Sequence, residues 1–145
     1  MFPSEDQYAG YLIKLDNGGG TQFTIDTSRF IRADSYKTSL KRIDIDSYTD
    51  AWGVLHRNVV ENVPTKTEFE TPEMLTNKDI FELMHGIYSC YTNERERRTW
   101  ATVYVPEYCL YKRKEVYLVD PEFQMYGNYH GVIHYRPVRF CFIAY

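Results

Sequence analysis

The chain has 145 residues, and it carries 17 lysine and arginine residues against 20 aspartate and glutamate residues. This length corresponds to one domain, and the net charge of −3 argues against a dedicated nucleic-acid-binding protein, which normally has a strong basic excess. Aromatic residues make up 17% of the chain, with 14 Tyr, 8 Phe and 2 Trp, more rings than a small monomer readily buries.

The N-terminal residues and the cysteines narrow the class of protein further. No window approaches the ~20 apolar residues of a membrane helix, and the acidic residues 1–7 lack the apolar segment of a secretory signal. Cys90, Cys109 and Cys141 are too few, and odd in number, for a disulfide framework. These features predict a single domain with free thiols, synthesised in a reducing cytoplasm.

The first forty residues predict an arm followed by short strands. Residues 1–10 are polar and form the predicted N-terminal arm, whereas residues 11–145 form a single β domain. Apolar runs at residues 11–15 and 22–25 flank three consecutive glycines, which is typical of a hairpin. The polar stretch at residues 34–39 is expected to be irregular or to form a sheet edge.

A long hairpin is predicted over residues 42–60. Apolar and polar residues alternate over residues 42–49, which is the period of a strand with one drier face. Asp50 and Gly53 favour a turn, because Asp bonds its own backbone and Gly accepts a positive φ. Residues 54–60 then return as the second arm.

One helix is predicted after the hairpin. Thr76 followed by Asp79 fits a capping box, in which each side chain bonds a backbone N–H group of the other residue. Asn93 is the predicted C-cap of this helix. Apolar residues recur at helical spacing and predict a stripe that packs on the sheet: Ile80, Leu83, Met84, Ile87, Tyr88 and Tyr91.

The sequence of the last third of the chain predicts a series of consecutive strands. Breaks are expected at Pro106, at the basic turn Lys112–Lys114 and at the glycine-flanked loop 127–131. The basic residues at 95–98 and 112–114 are interleaved with glutamates, which favours solvated turns over a nucleic-acid surface. The whole pattern predicts a mainly β fold, a sandwich or barrel of about nine or ten strands flanked by a single helix.

No catalytic, metal-binding or cofactor-binding site is predicted, so the chain is not expected to be an enzyme. His130 and His134 have a metal-like spacing, but glycines place them at a hairpin bend and no third ligand stands nearby. Nucleophile and phosphate-binding motifs are absent from the sequence. Asp44 and Asp46 form either an acid–base pair or a solvated negative wall of the hairpin, and the missing apolar pocket favours the wall.

The tip of the hairpin is the predicted contact surface. Trp52 lies at the turn, where it has few neighbours within its own strand, and large aromatic residues are enriched at interfaces. The tip is therefore expected to insert into a neighbouring subunit, through Tyr48, Trp52, Val54, Leu55 and His56. Further rings are expected on turns and strand faces, at Tyr36, Tyr108, Tyr111 and Tyr129.

The order of these elements resembles that of bacteriophage tail-tube-fold proteins, which include tail tube proteins and the ring-forming domain of distal tail proteins. That order is strands, a long hairpin, a strand, one helix and a run of strands, over residues 11–145. The segment from Ser35 to Asn58 is also similar to that of small tail-region proteins of long-tailed phages. No short fingerprint defines this fold, and the arm with its Gly18–Gly20 loop departs from it.

The resemblance implies a structural virion protein that forms a hexameric ring around a channel for DNA and the tape-measure protein. The hairpin would line the channel or bridge subunits, and Asp44, Asp46 and Asp50 would face the channel. The implied partners are further copies of the chain and neighbouring tail proteins (tube, tape measure, distal tail or hub), without a membrane or a sequence-specific nucleic acid. A tube subunit, a terminator or connector, and a distal-tail adaptor all remain open.

A monomeric β-sandwich that binds a glycan or another small ligand is the alternative. Tyr and Trp faces suit stacking on sugars, and Asp and Asn supply polar contacts. A concave aromatic cluster outside any subunit contact would favour this alternative.

Overall fold

The computed structural model describes the backbone of residues 2–41, 44–59 and 63–145, and the side chains of residues 2–39, 49–55 and 66–145. These parts of the chain form twelve strands and two helices. The strands are β1 (Ile13–Asp16), β2 (Gln22–Thr24), β3 (Lys37–Lys41), β4 (Asp44–Thr49), β5 (Leu55–Val59), β6 (Val63–Glu70), β7 (Leu75–Thr76), β8 (Arg98–Val105), β9 (Leu110–Leu118), β10 (Met125–Tyr129), β11 (Val132–Tyr135) and β12 (Arg139–Ala144). The helices are α1 (Thr27–Phe30) and α2 (Asn77–Ser89).

The strands form three antiparallel sheets. The largest sheet has seven strands in the order β2-β1-β8-β9-β12-β6-β3, while β10, β11 and β7 form the second sheet and β4 and β5 form the third. The prediction of a mainly β, sandwich-like architecture with one main helix is therefore confirmed. The strand count includes the two-residue β7 and the three-residue β2.

The predicted long hairpin is present, and it forms the inner of two successive antiparallel strand pairs. β4 and β5 pair antiparallel on either side of the turn at residues 50–53. β3 and β6 pair outside them, and β3 is an edge strand of the seven-stranded sheet. The polar stretch before the hairpin therefore leads into a sheet edge, which is one of the two outcomes expected from its composition.

The predicted turn at Lys112–Lys114 is wrong. These three residues lie inside β9, and the chain turns at residues 106–109 instead. Arg113 is paired with Thr102 of β8, and its Nη2 lies 2.8 Å from Oδ2 of Asp16 on β1. The basic run is thus part of a strand, and the charge of its central residue is matched by an acidic side chain on β1.

The predicted C-cap at Asn93 is also wrong. α2 ends at Ser89 with Cys90 as its C-cap. The Cys90 N–H donates to the Ile87 carbonyl at 3.1 Å, and the Tyr91 N–H donates to the Tyr88 carbonyl at 3.2 Å. Cys90 is fully buried, and its Sγ lies 3.6 Å from the carbonyl oxygen of Leu15. The helix therefore stops where its last turn meets the sheet, rather than at the polar residue that follows.

One face of the seven-stranded sheet forms the hydrophobic core. Strand β8 shows the arrangement, because Ala101, Val103 and Val105 are buried whereas Trp100 and Tyr104 on the opposite face are half-buried. Leu83 and Ile87 of α2 join the same core cluster. The largest fully buried side chains include Phe69, Phe140, Phe142, Ile13, Leu15 and Ile25.

Helix α2 begins with the predicted capping box. The Thr76 hydroxyl accepts from the Asp79 N–H at 3.4 Å, and an Asp79 carboxylate oxygen accepts from the Thr76 N–H at 3.1 Å. These bonds hold the pKa of Asp79 below its ordinary value, mainly through the Thr76 backbone N–H. They satisfy donors that would otherwise be orphaned at the first turn.

The apolar stripe of α2 faces the core in part. Ile80, Leu83 and Ile87 are buried, and Met84 and Tyr91 are half-buried against the core cluster. Tyr88, expected in the same stripe, keeps 43% of its surface exposed, and its ring packs edge-on against Tyr91 with the centroids 4.9 Å apart. Tyr88 therefore lies at the margin of the stripe rather than on the sheet.

Gly86 brings α2 against strand β2. A Cβ atom added at Gly86 would lie 2.3 Å from Cε1 of Phe23, which is far inside van der Waals contact. We expect Gly86→Ala to lower the free energy of unfolding by about 1–3 kcal/mol, even though alanine gains ~1 kcal/mol of helix propensity. Urea denaturation measures this change.

The Phe23 ring supplies the test of that explanation. In a Phe23→Ala background, Gly86→Ala is expected to be neutral or stabilising, because the obstructing ring is gone. Gly20→Ala is the matched control, since no atom lies within 4 Å of a Cβ added there. A loss of stability from Gly86→Ala that persists without the ring would contradict the packing argument.

Candidate assembly surface

The hairpin tip presents a tryptophan to solvent on an ordered turn. The Asp50 Oδ1 atom accepts from the N–H groups of Trp52 at 2.9 Å and Val54 at 3.0 Å. Two backbone bonds close the same turn, from Asp50 N–H to the Val54 carbonyl at 3.0 Å and from Gly53 N–H to the Asp50 carbonyl at 3.1 Å. Gly53 has a φ of +79°, a conformation that glycine adopts without strain.

The apolar side chains of this tip are exposed together. Trp52 keeps 90% of its surface exposed, Val54 53% and Leu55 59%. Isolated exposed apolar residues are common on soluble proteins, but a nearly fully exposed tryptophan beside two further apolar side chains is a contiguous patch. Such a patch is typical of a contact surface.

The other residues predicted at the hairpin lie partly outside the described side chains. Tyr48 is paired with His56 across β4 and β5, and Asp44 is paired with Val59, but the side chains of these four residues are not among those described. The interface role of Tyr48 and His56 and the channel-facing role of Asp44 stay predictions. Among the three predicted channel-facing residues, only Asp50 has a described side chain, and its Oδ1 atom caps the turn.

The β4–β5 pairing contains an irregularity that the alternating sequence does not reveal. Asp44 is paired with Val59 and Asp46 with Asn58, so two steps along β4 match one step along β5. A β-bulge of this kind interrupts strict two-residue alternation. The prediction that Asp44 and Asp46 lie on one face assumed a regular strand, and the bulge interrupts that strand.

A cluster of tyrosines packs the N-terminal arm against the sheet. The rings of Tyr11 and Tyr111 stack with centroids 4.7 Å apart, and Tyr8 packs edge-on against Tyr104 at 5.2 Å. The Tyr111 hydroxyl donates to the Tyr11 carbonyl at 2.7 Å and accepts from the Ala9 N–H at 2.9 Å. The rings of this cluster are thus used within the chain.

The expected distribution of exposed rings is correct in part. Tyr129 is 52% exposed, but Tyr36, Tyr108 and Tyr111 are half-buried. The Tyr36 hydroxyl donates to the Tyr104 carbonyl at 2.6 Å, and burial raises the pKa of Tyr36 to about 12. The sequence reasoning overlooked another set of exposed apolar side chains, on α2 and around the β10–β11 hairpin: Phe81, Phe123, Met125 and Tyr126.

One arginine of each basic cluster is paired with a carboxylate of the sheet. Arg113 is paired with Asp16 at 2.8 Å and Arg98 with Glu115 at 3.0 Å. The hydrogen bond from Arg113 holds the pKa of Asp16 below its ordinary value. These pairs reduce the positive charge that a nucleic-acid-binding surface concentrates.

The described side chains contain no cluster of three or more His, Cys, Asp or Glu residues that could hold a metal ion. Burial raises the pKa of the Cys90 and Cys141 thiols, which keeps them protonated. Of three hollows on the described surface, one is lined by a single ring, Phe69, one by Phe123 and one by no ring. None of them is the concave aromatic cluster that would favour the glycan-binding alternative.

Neither described helix has the length and apolar character needed to span a bilayer.

Comparison with known proteins adds a family and a structural neighbour. Residues 6–145 match DUF6711, described as a family of unknown function. No curated protein matches the chain. A solved structure, the tail of an empty GTA particle computed with helical refinement and C6 symmetry, is similar over 91% of this chain and 90% of that chain, with 17% identity and a TM-score of 0.49. A likeness at this level carries no functional inference.

The Asp50 carboxylate is expected to determine the order of the hairpin tip. Asp50→Ala removes the acceptor of the Trp52 and Val54 N–H groups, so both amides should exchange with solvent several-fold faster in hydrogen-exchange NMR. Asp50→Asn is the matched control, because its side-chain carbonyl can still accept both bonds. Equal exchange rates in the alanine variant and the unmodified protein would show that the turn does not depend on this side chain.

Proposed function

The chain belongs to the family DUF6711, and we propose that it is a structural protein of a bacteriophage tail that assembles into a ring. The observation that carries this proposal is the Trp52 side chain, which is 90% exposed on a turn closed by four hydrogen bonds. A tryptophan on an ordered turn loses little conformational entropy when a partner buries it.

The free energy available at this surface suits an assembly of many copies. Burying a large apolar side chain contributes roughly 2–3 kcal/mol, and Val54 and Leu55 add to the same patch. Each copy in a closed ring both presents a tip and receives one, so the contribution is repeated at every interface. A ring of six copies is the number that the sequence resemblance implies.

The charge of the chain agrees with a channel through which DNA passes. We propose that Asp44, Asp46 and Asp50 face this channel, and the net charge of −3 per copy adds to a negative wall. A negative wall repels the phosphates and lets the duplex slide without being held. The neighbouring tail proteins and the tape-measure protein are the further partners of this proposal, in a virion assembled in the bacterial cytoplasm.

Assembly is expected to depend on Trp52 more than on other exposed rings. Trp52→Ala should weaken self-association by at least about 30-fold, as removal of a tryptophan hot spot does. Analytical ultracentrifugation over a range of concentrations measures the change, and negative-stain microscopy shows whether rings form. Phe81→Ala is the matched control, because Phe81 is 70% exposed on α2. A monomeric unmodified protein at all concentrations would overturn the proposed function.

The channel proposal predicts a gain of DNA binding on charge reversal. Asp44→Lys combined with Asp46→Lys changes the charge of each copy by +4, from −3 to +1, and rings of this variant should retain double-stranded DNA at low salt in a mobility-shift assay. Glu107→Lys with Glu122→Lys makes the same change of charge at exposed positions outside the hairpin. Equal DNA retention by both variants would contradict a channel position for Asp44 and Asp46.

A further inference from the structure

A hollow beside α1 has mostly apolar walls and is large enough to admit an aromatic side chain. It has a volume of about 520 Å³, and its apolar walls come from Leu12, Ile31, Ala33 and Pro72. Ile31 is 4% exposed and Leu12 packs against the core cluster, so the floor of the hollow is part of the rigid core. Ala33 lies exposed at its rim. Small-ligand sites have volumes of ~300–1,000 Å³ and mostly apolar walls.

Arg32 also lines this hollow. Its guanidinium is held by two carboxylates, with Nε 2.8 Å from Asp34 Oδ1 and Nη2 3.0 Å from Glu70 Oε2. Both carboxylates line a separate hollow together with Arg32, so these ion pairs belong to that hollow. The remaining polar lining is Thr27 and Ser28, which suits an occupant that is mostly apolar with one donor, such as an indole.

Ser28 supplies an acceptor for the indole N–H. Its hydroxyl donates to Asp26 Oδ1 at 2.7 Å, so the proton is engaged and the oxygen lone pairs remain for an incoming donor. Ser28 is exposed and lines the hollow. A buried indole needs such an acceptor, because its only polar group is the Nε1–H donor.

We propose that this hollow receives the Trp52 side chain of a second copy of the chain. The ring lies between the apolar walls, and its Nε1–H donates to the Ser28 hydroxyl. The occupant belongs to another copy because Trp52 is 90% exposed in the isolated chain and therefore does not fill its own hollow. This inference rests on the proposed assembly and names the surface that the hairpin tip contacts.

The contact joins two different surfaces of the same chain. Such a heterologous contact leaves a bound pair with one unused tip and one unused hollow, so addition continues until a ring closes or a filament grows. The same feature makes the contact testable by mixing two defective variants. One variant lacks the tip and the other lacks the hollow.

The tip is removed by Trp52→Ala, and the hollow is blocked by Ala33→Gln, an uncharged substitution at an exposed position. Each variant alone should stay monomeric where the unmodified protein forms rings, and each should weaken association by at least about 30-fold. An equimolar mixture should form a species of two copies and nothing larger, since one intact tip meets one intact hollow. Sedimentation velocity and mass photometry measure these species.

Two further variants separate blocking from misfolding and from general surface effects. Ala9→Gln introduces the same side chain at an exposed position on the N-terminal arm and should assemble like the unmodified protein. Ser28→Ala leaves the hollow open but removes the acceptor, so association should weaken about 3- to 10-fold. Circular dichroism and thermal unfolding confirm that every variant is folded.

The outcomes distinguish this inference from the proposed function. Rings of Ala33→Gln indistinguishable from those of the unmodified protein would overturn docking in the hollow and leave ring assembly standing. A mixture of the two defective variants that stays monomeric would also overturn it. Failure of the unmodified protein to associate would overturn the assembly itself.

Discussion

Burial of one face of the seven-stranded sheet is the constraint on which the rest of the structure depends. Phe69, Phe140 and Phe142 lie fully buried on that face, together with alternate residues of β1 and β8. Leu83 and Ile87 of α2 belong to the same core cluster, and Gly86 permits the close approach of this helix to β2. A chain of this length has one such core, so the hairpin tip and the opposite sheet face lie outside it.

The aromatic surplus is divided between these inner and outer regions, in part according to the polarity of each ring. The buried aromatic rings of the described residues are all phenylalanines, since a buried hydroxyl would need a partner, although Phe81 and Phe123 stay exposed. Tyr36, Tyr104 and Tyr111 are placed where their hydroxyls reach a backbone carbonyl or the Asp6 carboxylate. The hydrogen bond to Asp6 raises the pKa of Tyr104 above its ordinary value. Trp52 belongs to neither group, because its ring has no described ring contact and stays in solvent.

Sequence reasoning succeeded where the signal is local and failed where a distant residue decides the structure. The capping box of α2 involves residues three apart, and the Asp50–Gly53 turn is complete within five residues, so both could be predicted. The Lys112–Lys114 error arose because the strand character of β9 depends on pairing with β8, and the charge of Arg113 is matched by Asp16 on β1. The hollow that we propose for Trp52 likewise joins Leu12, Pro72 and the residues around α1, which only the fold brings together.

The edges of the seven-stranded sheet explain why side-chain docking, rather than strand pairing, would specify the contact between copies. β2 has only three residues, and the pairing of β3 with β6 shifts register between Ser39 and Leu40. Short edge strands and bulges both suppress uncontrolled addition of further strands. A protein that must close a ring needs a contact of one fixed geometry, since small errors in the angle between copies produce filaments. A rigid turn that carries one indole, facing a mostly apolar hollow with one acceptor, defines that geometry more narrowly than backbone pairing, which permits slippage by two residues.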